Sequence, residues 1–149
     1  MAGTRFQVKT YGARLVERRL NNMANLAEDM RPAWPAVTAV AARGIRNSFS
    51  KQGPGWAPLR DKTIRSRIAE GYPPGPILTK SGRYRKAATQ PRPVGTSSTL
   101  TLMIDVTYGE YHMTGTARMP ARPIKISKFY QKEMAAVIRI KLMEAYTGG

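Results

Sequence analysis

Apolar positions along the chain change period several times, and each change predicts an element. Over residues 4–10, Phe6 and Val8 alternate with Arg5, Gln7 and Lys9, the two-residue period of a short half-buried strand. Over residues 13–30, Val16, Leu20, Met23, Ala27 and Met30 recur at steps of four and three, predicting a core-facing amphipathic helix. Methionine fills irregular gaps, so Met23 and Met30 suit a packing seam. Pro32 and Pro35 restart the chain as prolines do in a first helical turn. Val37, Val40, Ala41, Ile45 and Phe49 then trace a second helix, stopped by the Gly53-Pro54-Gly55 turn.

Ile64 and Ile68, four apart, predict a shorter helix over residues 60–70. The Gly71-Tyr72-Pro73-Pro74-Gly75-Pro76 run that follows is too rich in proline for regular structure. Thr79 is placed to cap a short helix running to Ala88, which Pro91 and Pro93 end. Leu100, Leu102 and Ile104 alternate with Thr99, Thr101 and Met103, the clearest strand in the chain. A last helix is expected over residues 127–145, with Ser127 as its N-cap. Its inner face is traced by Met134, Val137, Ile138, Leu142 and Ala145, with the stem of Lys141 lying along apolar surface. These elements predict one α+β domain over residues 1–149: a small, mostly antiparallel sheet packed against two or three helices, the terminal helices outermost.

Composition changes this picture through charge. Lys and Arg number 25 against 9 Asp and Glu, a net of +16. Such a chain seeks polyanions, whether nucleic acid, anionic lipid or acidic protein. The density peaks over residues 60–92, where Arg60, Lys62, Arg65, Arg67, Lys80, Arg83, Arg85, Lys86 and Arg92 face only Asp61 and Glu70, a net of +7. With Tyr72 and Tyr84 interleaved, this predicts an exposed basic arm over about residues 51–93 that meets DNA phosphates or an acidic partner. The absence of cysteine excludes disulfides, thiolate metal sites and a thiol nucleophile. The opening residues have no apolar signal core and no run is long enough to span a bilayer, so a protein made in the cytoplasm is expected.

The chain's most distinctive stretch is Phe49-Ser50-Lys51-Gln52-Gly53-Pro54-Gly55-Trp56-Ala57-Pro58-Leu59, followed by Thr63 and then Ile77-Leu78-Thr79-Lys80-Ser81-Gly82. Glycines and prolines make a rigid turn that presents Trp56 and Leu59 as apolar plugs, into this protein's own core or into a partner. Further on come Tyr108, His112 and Gly115, spaced as Tyr-x-x-x-His-x-x-Gly, then Pro120, Arg122 and Pro123 before the terminal helix. In this order and spacing, the motifs of residues 49–129 resemble the tail-completion (virion morphogenesis) family of tailed phages.

The resemblance implies a small α+β structural subunit at the virion neck, forming a ring between the portal side of the head and the tail tube. Such a protein assembles in the host bacterial cytoplasm, binds no cofactor and catalyses nothing. Its partners would be further copies of itself, expected as a hexamer, the adjoining neck, portal-side and tail-tube proteins, and packaged double-stranded DNA, with no membrane. Phe49, Trp56 and Leu59 would organise the central loop, while Arg122 and Pro123 set the approach to the last helix. Trp and Arg are common anchors of interfaces, and ring contacts join two different patches.

The residues leave two other classes to compare. A free-standing nucleic-acid-binding protein would explain the charge, but no helix-turn-helix, zinc or RNA-recognition signature is present. An enzyme would have to rest on Asp105, Glu110 and the one histidine, His112, as a metal set completed by Lys125 or Lys128. Ser97-Ser98 has no nearby base, and no glycine-rich phosphate loop has a known spacing, so the enzyme reading is the weaker.

Overall fold

A computed structural model describes residues 11–148; the strand expected over residues 4–10 lies outside them. In chain order the elements are α1 (Ala13–Glu28), a 3-10 turn (Arg31–Ala33), α2 (Trp34–Ser50), α3 (Asp61–Ala69), α4 (Arg83–Thr89), β1 (Arg92–Gly95), β2 (Leu100–Met103), α5 (Gly109–Thr114) and α6 (Lys128–Thr147). The fold is a single α+β domain with a two-stranded antiparallel sheet. No helix among the described residues is long and apolar enough to cross a membrane.

Helix α2 is the axis of the molecule. It is rich in alanine, carries Pro35 in its first turn, and buries Val37, Val40, Ala41, Gly44, Ile45, Ser48 and Phe49 at steps of three and four. Gln52 and Gly53 end it in the left-handed backbone region, and the Gly53 amide donates back to the Ser48 carbonyl at 2.7 Å. Around its C-terminal half gathers the core, where Ile45 and Phe49 meet Trp56, Leu78, Tyr84, Ala88 and Val106. Phe49 is 2% exposed, with its ring edge-on to Trp56 at 5.4 Å between centroids.

Helix α6 packs along α2 at a point made thin by glycine. A side chain at Gly44 would come within 2.9 Å of Ile126 Cγ2 and 3.2 Å of Tyr130 Cβ. An Arg43–Glu133 ion pair crosses the same seam. The expected face of α6 is present: Met134, Val137, Ile138, Lys141, Leu142 and Ala145 are all half-buried. Ser127 occupies the N-cap position with extended backbone, but its side chain makes no capping bond.

Helix α1 packs chiefly on α6 and buries no residue. This corrects the expectation of a core-facing helix, since Val16 and Leu20 on its apolar stripe stay exposed. The stripe is real; among the described residues it is covered only in part, chiefly by α6.

The hairpin β1–β2 pairs Arg92 with Met103 and Gly95 with Leu100. Its first strand was not expected, because Pro91 and Pro93 read as helix terminators. A two-stranded ribbon consists only of edges, so a proline without an N–H is tolerated. The hairpin is fastened to the start of α2 by Trp34, whose Nε1–H donates to the Thr96 carbonyl at 2.8 Å and whose ring lies where a Gly95 side chain would be. Thr79 caps nothing: α4 begins only after Gly82, which sits at φ +76° in the N-cap position. Nor does the segment of residues 51–93 stand off as an exposed arm. Its Trp56, Leu78, Tyr84 and Ala88 are core residues, so the segment is anchored inward on both sides of the exposed proline-rich run.

Candidate functional site: a clasped loop and a basic cleft

The turn at Gly53–Gly55 delivers Trp56 into the core and leaves its Nε1–H to donate to the Pro123 carbonyl at 2.8 Å. The return half of the contact comes from Arg122. Its Nε donates to the Ala57 carbonyl at 3.0 Å and its Nη2 to the Pro58 carbonyl at 3.2 Å. The two motif stretches, more than sixty residues apart in sequence, thus hold each other through three hydrogen bonds. The Arg122 amide adds a bond to the His112 carbonyl at 2.7 Å, tying α5 into the same clasp.

Beside the clasp opens a cleft of about 690 Å³. Its lining includes Lys62, Thr63, Ser66 and Arg67 of α3, together with Tyr84, Tyr108, His112, Arg118 and Arg122. The cleft brings together Leu59, Arg60, Lys62, Arg67, Lys80 and Arg122 of the residues singled out from the sequence. Phe49 and Trp56 lie in the core, and Pro123 is half-buried, where it receives the indole N–H. Arg65, Arg83, Arg85 and Lys86 are exposed outside the cleft, and Arg92 pairs with Asp105 on the hairpin side at 2.9 Å.

Arg67 is the main departure from the expected basic surface. It is only 6% exposed, and its Nη1 donates to the Pro76 carbonyl at 3.0 Å. A residue expected to reach outward to DNA or an acidic partner instead braces the proline-rich loop from inside. Lys80 is partly neutralised by Glu70 at 2.5 Å and lies over the Tyr72 ring at 4.9 Å.

Sequence reasoning missed the aromatic wall. The Tyr84 and His112 ring centroids are 4.9 Å apart, and Tyr108 meets His112 edge-on at 5.7 Å. The signal was the four-residue spacing of Tyr108 and His112, which sets Tyr108, at the N-cap of α5, one turn before His112. Gly109 permits the stacking, because a side chain there would lie 3.1 Å from the Tyr84 ring. Asp105, Glu110 and His112 do not assemble: Asp105 is engaged by Arg92, and no group of three potential metal-binding side chains occurs among the described residues.

Burial shifts the cleft's titratable groups. It pushes the Tyr84 hydroxyl up, with Tyr108 adding to the effect. It holds His112 below its ordinary value, and the Arg122 charge lowers it further. Burial first, then repulsion from Arg67, lowers Arg122 as well. With His112 depressed, the unfolded chain takes up a proton below about pH 6.5 that the folded chain refuses. Folding stability contributed by neutral His112 is therefore lost as pH falls from 6.5 toward the folded-state value. Urea denaturation should show the wild type losing more stability on acidification than His112→Gln; equal losses would disprove this linkage.

The chain matches no protein-family model, no curated protein and no solved structure.

Proposed function

We propose that this protein is a structural, non-catalytic subunit of a tailed-phage neck ring, acting in tail completion or head–tail joining. The observation that carries the reading is the clasp. The Trp56 turn and the Pro120-x-Arg122-Pro123 turn, which bear the resemblance in sequence, form one mutually bonded unit in the fold. A rigid unit of this kind suits an assembly subunit, which docks without paying again for loop order. Exposed apolar side chains on the outer helices, Leu15, Val16 and Leu20 on α1 and Phe129, Ile140 and Met143 on α6, add surface for neighbouring copies or adjoining rings. A ring of subunits at +16 each needs compensation from packaged DNA or from acidic neighbours.

Electron microscopy of particles assembled without this protein tests the reading. Filled heads beside unattached tails are expected, and abnormally long tails would specify a terminator. Intact, joined particles would overturn the proposal. Charge reversal at Arg65, Arg83 and Arg85, all exposed, should impair assembly without unfolding the subunit. Arg67 is excluded from that set because it is buried.

A second reading, a free-standing nucleic-acid-binding protein, is favoured by the exposed cluster of Arg83, Arg85 and Lys86 on α4. It requires affinity for duplex DNA that falls steeply with salt in the isolated chain.

A further inference from the structure

The cleft holds cationic groups that its own chain does not neutralise. Arg67 and Arg122 are each 6% exposed, yet their recorded partners are backbone carbonyls only, and no carboxylate lines the cleft among the described residues. Arg67 Nε is buried with no hydrogen-bond partner, and so are Tyr84 Oη and His112 Nδ1 of two other lining residues. Buried guanidinium groups are costly unless an anion meets them, and a buried donor left unpaired costs more. Three such atoms belong to residues that line one cavity, whose buried arginines keep their charge without an acidic partner among the described residues.

The chemistry of that ligand follows from the walls. Arginine forks match planar carboxylates and tetrahedral phosphates alike, but charge separates the two. A phosphate monoester carries about −1.5 to −2 at neutral pH, which suits two guanidinium groups better than a single carboxylate does. The hydroxyl of Thr63 also lines the cleft and can donate to a remaining oxygen, while that of Ser66 already donates to Glu70 at 2.7 Å. A volume of about 690 Å³ falls within the range of small-molecule sites, and Tyr72 and Tyr108 in its lining offer aromatic surface for a flat ring. We infer that the cleft is a binding site for a phosphoryl group, carried by a nucleotide or by the phosphorylated end of a nucleic-acid strand. This stands apart from the ring reading, since the isolated chain should bind.

Calorimetric titration of the full chain, in chloride buffer, tests the inference with inorganic phosphate, adenosine monophosphate and adenosine. Saturable binding of the monophosphate, weaker binding of phosphate and none of adenosine are expected. Changing the exposed rim residues Lys62 and Arg118 together to alanine should weaken the monophosphate about tenfold without altering the melting temperature. Arg67→Met should abolish binding; if it fails to fold, the rim variant still decides. A short single strand bearing a 5′-phosphate separates the sources. Tighter binding than its unphosphorylated twin assigns a strand end; binding of the monophosphate alone assigns a free nucleotide. Failure of both phosphorylated probes to bind would overturn the inference. So would monophosphate binding indifferent to Lys62 and Arg118, or capture of a glutamate-rich peptide in place of phosphate.

Discussion

Replacement of Trp56 by alanine is expected to lower folding stability by about 3–5 kcal/mol, the range for deleting a buried aromatic. Trp56 is 7% exposed, packs edge-on against Phe49 and donates to the Pro123 carbonyl. Its loss leaves a cavity at the centre of the core and opens the clasp. Trp56→Phe separates the two contributions, since it keeps most of the ring and gives up a hydrogen bond worth about 0.5–1.5 kcal/mol.

Gly53 makes the prediction sharper. At φ +76°, a side chain there would lie 1.9 Å from Trp56 Cδ2, inside the indole ring. Gly53→Ala should therefore displace Trp56 and cost nearly as much as removing it. In the Trp56→Ala background only the left-handed backbone penalty of about 1–2 kcal/mol remains. A double-mutant cycle by urea denaturation should thus be strongly non-additive. Additive losses would mean that the turn and the ring are independent, and the clasp would lose its central argument.

The second large effect belongs to the α2–α6 seam. Gly44→Val should destabilise by about 1–3 kcal/mol through overpacking. Its side chain meets Ile126 Cγ2 at 2.9 Å, which can rotate away, but also Tyr130 Cβ at 3.2 Å, which is fixed to the backbone of α6. The strain falls on the docking of α6, so hydrogen exchange should accelerate there before it does in α2. Because α1 rests chiefly on α6, its amides should follow. Unchanged protection of both helices would show that the seam has slack that the packing distances do not.

The long periodic segments were legible because their periods are local. The stripe of α2, the face of α6 and the alternation of β2 each report which side of an element is apolar, and the structure places each element close to where its pattern lies. Element boundaries were less legible. Gly82, not Thr79, starts α4, because a glycine in left-handed geometry turns the chain where a threonine would have capped it. The short α5 has too few residues to show a period. The strand β1 is hidden by its prolines and exists through pairing with β2.

The cleft required the tertiary structure altogether. Sequence composition marked Arg67 and Arg122 as cations, and cations are expected outside. Whether one is folded beneath the surface depends on what distant chain supplies: the Pro76 carbonyl for Arg67, and those of Ala57 and Pro58, more than sixty residues away, for Arg122. By itself, then, the sequence determined the helices other than α5, the second strand, the rigid tryptophan turn and the excess of positive charge. The tertiary structure decided that the tryptophan turn and the Arg122 turn interlock, that α1 remains peripheral and that two buried arginines line one cavity. A residue's period tells which way it faces within its element, and only packing between elements decides what it meets there.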